Sequence, residues 1–211
     1  IQMHRPVAKY TYAAKQTLYF GLQYDYSYLM LGTGLNEYSQ RHHLGGYALF
    51  KEYGKFWGKF SYDGERHDYE FDSLGDLDGW SHKIEFTQYW LLPSWRRYAG
   101  FSWLHEEEDA NARCFKFGRD QLSLLGRIMI TPRDEFNGRV SYNFYRYNGD
   151  DYLEPWKKRR DNIFEANMTY AHTFTKNVSV FANYNAIDNN SNVLRQNYTG
   201  HTITVGTTVK W

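Results

Sequence analysis

The sequence lacks any run of about 18 apolar residues, the length a membrane-crossing helix requires, so a transmembrane helix is excluded. It has one cysteine, Cys114, which forms no internal disulfide and belongs to no Cys/His metal pattern. There are only 4 prolines in 211 residues. Neither sign of charge dominates: 25 basic and 24 acidic residues leave a formal +1, which argues against a nucleic-acid partner. The opening residues Ile1-Gln2-Met3-His4-Arg5-Pro6 have a charge but no apolar stretch after it, and are not read as a signal peptide. Gly-Xaa-Ser-Xaa-Gly and His-Glu-Xaa-Xaa-His motifs are missing, as are EF-hand spacing and tetratricopeptide repeats. No cofactor, metal or catalytic residue is expected.

Aromatic residues, by contrast, reach 19%, with 20 Tyr and 7 Trp, while mean hydropathy is −0.75. Tyr and Trp join an apolar body to a polar tip and favour wet boundaries over dry cores. A chain that is polar on average yet rich in such residues fits a membrane barrel with an apolar outer face, aromatic girdles and a polar lumen.

The pattern along the chain has period two. From His201 onward, Ile203, Val205, Val209 and Trp211 alternate with Thr202, Thr204, Gly206, Thr208 and Lys210. Phe164, Ala166, Met168, Tyr170 and Phe174 oppose Glu165, Asn167, Thr169 and Thr173. Leu122, Leu124, Ile128 and Ile130 oppose Gln121, Ser123, Arg127 and Thr131, and Phe56, Phe60 and Tyr62 oppose Lys55, Lys59 and Asp63. This is the signature of strands with unlike faces. A soluble sandwich or lipocalin-like barrel also alternates, but a face that carries Lys55, Lys59, Arg127, Arg139 and Glu165 makes a poor dry core.

Strands are expected near 17–29, 43–53, 55–64, 80–91, 97–106, 120–131, 136–147, 162–174, 178–186 and 198–211. Tight connections alternate with long polar ones at 32–42, 65–79, 107–119, 148–161 and 187–197. Short periplasmic turns and longer outer loops give outer-membrane barrels this asymmetry. The reading is all-β: an antiparallel up-and-down transmembrane β-barrel in the bacterial outer membrane, with its C-terminus in the periplasm.

The N-terminal segment decides the count. Residues 1–16 read as an arm or partial strand ending in a periplasmic turn, and 17–211 as the barrel. Tyr12-Ala13-Ala14-Lys15-Gln16-Thr17-Leu18 parallels His172-Thr173-Phe174-Thr175-Lys176-Asn177-Val178, which favours a strand. Ten strands make an even barrel with the arm in the periplasm or the lumen; eleven imply part of a barrel of about 12–16 strands.

The C-terminal stretch Asn183–Asn192, with Tyr198 and the alternating strand to Trp211, resembles the last hairpin of porin-like outer-membrane barrels. These include barrels attached to tetratricopeptide domains in polysaccharide export and surface-lipoprotein assembly. The resemblance implies the fold and a periplasmic C-terminus. A ten-strand count also resembles the omptin proteases, but their Asp-Asp and Asp-His pairs have no place here.

Two sets of candidate residues follow. Lys55, Lys59, Lys83, Glu85, Arg127, Arg139 and Glu165 are expected to face the lumen, as a selecting constriction or as ion pairs that stiffen the interior. In the outer loops, His67, Asp68 and Asp72 belong to a segment that could bind a divalent cation through its carboxylate oxygens, supply acid/base residues, or be simply solvated. Lys157, Lys158, Arg159 and Arg160 could touch lipopolysaccharide phosphates. The acidic run His105-Glu106-Glu107-Glu108-Asp109 reads as loop. The expected function is a passive channel or export conduit. The alternative is an anchoring subunit that binds envelope partners through its loops or periplasmic face, with an omptin-like or lipid A-modifying enzyme ranked below both. Outer-membrane lipid and lipopolysaccharide are the expected partners, and nucleic acid is not.

Overall fold

Alternation of this kind satisfies backbone groups only if strands pair side by side, and the computed structural model shows them paired. It describes residues 2–31, 36–69, 77–92, 94–151 and 154–209. In chain order the strands are β1 (Gln2–His4), β2 (Val7–Lys15), β3 (Leu18–Leu31), β4 (Asn36–Tyr53), β5 (Phe56–Tyr69) and β6 (Gly79–Leu92). Then come β7 (Ser94–Ala110), β8 (Phe117–Met129), β9 (Asp134–Asp150), β10 (Lys158–Thr175), β11 (Val178–Ser191) and β12 (Tyr198–Val209). Each pairs antiparallel with the next from β3 to β12.

β1 and β2 both pair with β3, in one register: His4 faces Tyr28 and Val7 faces Asp25. They are a single edge strand interrupted at Arg5-Pro6, so the sheet holds eleven up-and-down strands. Proline lacks an N–H and is tolerated at an edge; there the Tyr26 N–H still donates to the Pro6 carbonyl at 3.3 Å. The N-terminal segment is thus ordered as a strand against β3.

The turns at one end share a construction. Lys15 faces Leu18, Tyr53 faces Phe56 and Thr175 faces Val178, each with a register shift just before the turn. Gly54 supplies the left-handed backbone in the second of these (φ 54°), a conformation that glycine adopts without steric cost. Connections at the other end are longer, but less so than the sequence suggests. β5 continues to Tyr69, β7 to Ala110 and β11 to Ser191, well into stretches read as loops. Beyond the bilayer both faces of a strand meet water, so the alternation fades while the hydrogen-bond ladder goes on.

Burial is inverted relative to a soluble protein. The buried apolar set is small (Trp57, Ala110, Ala166 and Val193), whereas Ser61, Ser81, Ser102, Gln121, Ser123, Ser141, Asn143 and Asp161 are all buried. Large apolar side chains stand outward: Leu124 is 66% exposed and Val205 74%. A continuous exposed apolar face of this kind calls for lipid. On β10 it is carried by Phe164, Met168, Tyr170 and Phe174, with the small Ala166 buried among them, a span matching the roughly 9–11 residues with which a tilted strand crosses a bilayer.

Aromatic residues mark the border of this band on the long-loop side. Tyr24, Tyr62 and Tyr184 hydrogen-bond the Nδ1 atoms of His42, His82 and His201 at 3.0, 2.7 and 2.8 Å. Trp80 stacks on His82 and Trp103 on His105. Such rings suit the wet boundary of a membrane. Among the described residues, the outer sides of β1–β2 and of β12 have no strand partner. In lipid such edges are covered by pairing.

Candidate functional site: the polar inner wall

Antiparallel register aligns inward side chains into rows that run around the wall. In one row Asp63 faces Lys83, Lys83 faces Glu106, and Glu106 faces Arg119. Arg119 in turn faces Tyr145, and Tyr145 faces Asp161. Opposite charges thus meet directly across neighbouring strands, the favourable arrangement. Lys83 Nζ lies 3.1 Å from Glu106 Oε1, Arg119 Nη1 lies 3.0 Å from Glu106 Oε2, and Ser81 Oγ donates to Oε1 at 3.1 Å. The Arg119 guanidinium also sits 5.4 Å from the centre of the Tyr145 ring.

A second row, nearer the short turns, reads Lys59, Thr87, Ser102, Ser123, Ser141, Glu165. Its centre consists of small, buried side chains, and the space above them is taken by Arg139. Its Nη2 reaches Ser102 Oγ at 3.3 Å, Ser123 Oγ at 3.1 Å, Gln121 Oε1 at 2.9 Å and Glu85 Oε1 at 3.4 Å. One guanidinium thereby links β9 to β8, β7 and β6. Gln121 donates to Asn143 at 2.6 Å and Asn143 to Glu165 at 3.0 Å, which extends the network to β10. Even so, the Arg139 side chain is 42% exposed. With Arg119, Gln121, Glu165, Asn167 and Thr202 it lines a cavity of about 590 Å³.

Above the lipid band, toward the long loops, His67 donates to Glu108 at 2.6 Å and lies 3.6 Å from Glu65. The hydrogen bond to Glu108, then that to Glu65, raises the imidazole from 6.5 to about 9. Arg159 covers the Tyr147 ring at 4.6 Å and pairs with Asp161. His67, Tyr69, Glu108, Cys114, Phe117 and Arg159 border a second cavity, of about 500 Å³. On β3 to β5, His43 bridges Asp25 and Asp63 at 2.8 and 2.9 Å, and Arg5 reaches Asp25 at 2.9 Å.

Of the residues expected in the lumen, Lys59, Lys83, Glu85, Arg127, Arg139 and Glu165 occupy inward positions. Arg127 and Arg139, although on adjacent strands, have separate partners: Arg127 pairs with Glu135 at 2.5 Å. Lys55 does not face the lumen. It is an exposed residue of the Gly54 turn, because a period of two carried through a turn assigns a side to a residue that has none.

The outer set also divides. His67 turns inward, Asp68 pairs outward with Arg66 at 3.0 Å, and Asp72 lies outside the described residues. Lys157 and Arg159 bond within the wall and its loops, Lys157 to the Asn192 carbonyl and Arg159 to Asp161. Lys158 and Arg160 are exposed on the outer side. The acidic run is strand and not loop: β7 carries it to Ala110, with Glu106 and Glu108 inward and Glu107 and Asp109 outward. Ending the expected strands at Glu106 and Asp120 hid the pairing of Glu106 with Arg119, the centre of the alternating row. Continuing the parity of Trp103 and Leu104 by a few residues finds both.

Neither a protein-family profile nor a curated protein matches the chain. Among solved structures, a loop L8 deletion mutant of OmpT, an outer membrane protein of Vibrio cholerae, aligns at TM-score 0.62 and 11% identity. That alignment covers 97% of this chain and 62% of the other, so the chain spans under two thirds of that protein's length. In-vitro folded OmpT of the same organism aligns at TM-score 0.54 and 10% identity, over 99% and 95% of the two chains. At such identity the likeness concerns the fold alone, and that fold is the outer-membrane β-barrel.

Proposed function

We propose that the chain forms the wall of a passive aqueous channel in the bacterial outer membrane, with the long loops outside and the C-terminus in the periplasm. The observation that carries this reading is the direction of the inner-wall ion pairs. Lys83, Glu106 and Arg119 pair along one row, and Arg139 reaches over two small serines to Glu85. These contacts link neighbouring strands around the wall and leave Lys83 and Arg139 36% and 42% exposed on the inner side. Charges paired in this way stiffen the wall and still present a polar surface to water, as ion-conducting barrels require. Catalysis plays no part in this function.

Insertion into planar bilayers tests the proposal. Discrete conductance steps are expected, with an ion preference that responds to Arg139. Protein that inserts in folded form and conducts nothing overturns it, and would favour a structural barrel that fills its own interior.

A further inference from the structure

Strand pairing at the outer end of β9 and β10 breaks the rule that the inner wall obeys. Arg160 faces Arg146 directly. Both are exposed on the outward side, and among the described residues neither side chain has an ion-pair or hydrogen-bond partner. Like charges directly opposite on adjacent strands destabilise a sheet. Lys158, also exposed, adds a third cation next along the same face of β10.

The surroundings do not neutralise them. Asp150 faces Lys158 and, among the described residues, is the one acid on this patch. Asp120 is engaged by His105 at 3.0 Å and Asp188 by Thr199 at 2.7 Å. On the flanking strand Gly118 lies opposite Arg146 and leaves the guanidinium uncovered.

Depth identifies the missing anion. Arg146 follows outward-facing Phe144 by two positions, about 7 Å along a strand. Arg160 lies four positions, about 13 Å along the strand, past Phe164, where the band on β10 ends. Strand tilt shortens both distances in depth, and the long arginine side chains reach back toward the headgroup layer, roughly 5–7 Å thick on each side. Guanidinium groups match phosphate geometry and charge. We infer that Arg146 and Arg160, assisted by Lys158, bind the phosphate of an outer-leaflet lipid, lipid A in a Gram-negative outer membrane. The inference rests on the outer-membrane placement proposed above and not on conduction, since a closed barrel would hold the lipid equally well.

The test compares bisphosphorylated lipid A with its dephosphorylated form on the purified protein in detergent, read by native mass spectrometry and thermal unfolding. The wild type is expected to prefer the phosphorylated lipid by roughly tenfold or more and to unfold at higher temperature with it. Arg146→Gln/Arg160→Gln loses the preference, whereas Arg146→Lys/Arg160→Lys keeps most of it. Without lipid, Arg160→Gln unfolds no lower than the wild type, because a repulsion has gone. Equal binding of the two lipids overturns the inference, as does a preference that survives in the glutamine variant. So does equal stabilisation by inorganic phosphate at the same concentration, which would mark a small-anion site. The wild-type comparison needs no variant and decides the matter even if the double substitution fails to fold.

Discussion

Lys83 and Glu106 stand directly opposite each other on β6 and β7, with Nζ 3.1 Å from Oε1. Nothing in the sequence near either residue announces the other; the register of two strands brings them together. Glu106 is 6% exposed and also holds Arg119, so a single carboxylate balances two cations on the inner wall.

Replacing Glu106 by Gln leaves those two cations facing each other in a partly dry setting. Breaking a fully buried pair costs about 3–5 kcal/mol. Lys83 is 36% exposed and water screens it, so a loss of about 2 kcal/mol is expected. Urea midpoints of the folded barrel measure it, and Glu106→Gln/Lys83→Met should recover part of the loss. An unchanged midpoint would show that the row carries no stability.

The same substitution and Arg139→Gln should shift ion selectivity in opposite directions. Glu106→Gln removes a negative charge from the lumen and favours anions. Arg139→Gln removes a positive one, leaves Glu85 without its ion pair and favours cations. Reversal potentials under a KCl gradient give the signs. Stability falls by about 1–2 kcal/mol for Arg139→Gln, since its hydrogen bonds are partly solvated. Two variants that move the potential in the same direction, or not at all, would remove these residues from the ion path.

His67 gives a pH signature. Its charged form is favoured in the fold, with the imidazole raised from 6.5 to about 9 by Glu108 and Glu65. The stabilisation is therefore complete below about pH 6.5 and is lost as pH rises through 9. At 13% exposure it amounts to on the order of 2 kcal/mol. Midpoints of the wild type should fall between these pH values, and those of His67→Gln should fall less, the remainder including His105, which Asp120 also raises. Parallel slopes would assign the pH dependence elsewhere.

How far the sequence revealed this molecule depends on what lies beside each residue. Within the bilayer one face meets lipid, so Leu122, Leu124 and Phe164 alternate with polar partners and their strands are legible. Past the aromatic border both faces meet water. Glu107 to Asp109 then read as a loop, although the ladder runs through them. Lys157 to Arg160 reads as one basic run, yet the alternation of β10 sends Arg159 to Tyr147 and Arg160 outward. Pairings such as Arg139 with Glu85, or Arg146 opposite Arg160, depend on register between distant segments, to which local composition is blind.

Cys114, the one cysteine of the chain, offers a test of orientation. It lies between β7 and β8 at the long-loop end, whereas Lys176 lies in the short turn between β10 and β11. If long loops face outward, a membrane-impermeant maleimide should label Cys114 on intact cells. A cysteine placed at Lys176 in a Cys114→Ser background should react only after the outer membrane is permeabilised. The opposite pattern would invert the topology and remove the lipid A inference with it.

The lipid face can be tested by a substitution that a soluble protein would welcome. Leu124 stands near the middle of the band on β8, 66% exposed and flanked across its strands by Phe101 and Val140. In water, arginine at so exposed a position would cost little. At the midplane of a bilayer it costs about 2–4 kcal/mol. Leu124→Arg should therefore fold poorly into phospholipid vesicles, with a midpoint lowered by that amount. Thr199→Arg, on the outward side of β12 above the band, should fold like the wild type. Both sites are exposed strand positions; at 199 the arginine faces Asp188 in place of the Thr199 hydrogen bond, so depth and a ready counter-charge both favour it there. If Leu124→Arg and Thr199→Arg behave alike in vesicles, the outer face meets water, and the division of every strand into a lipid side and a lumen side is lost.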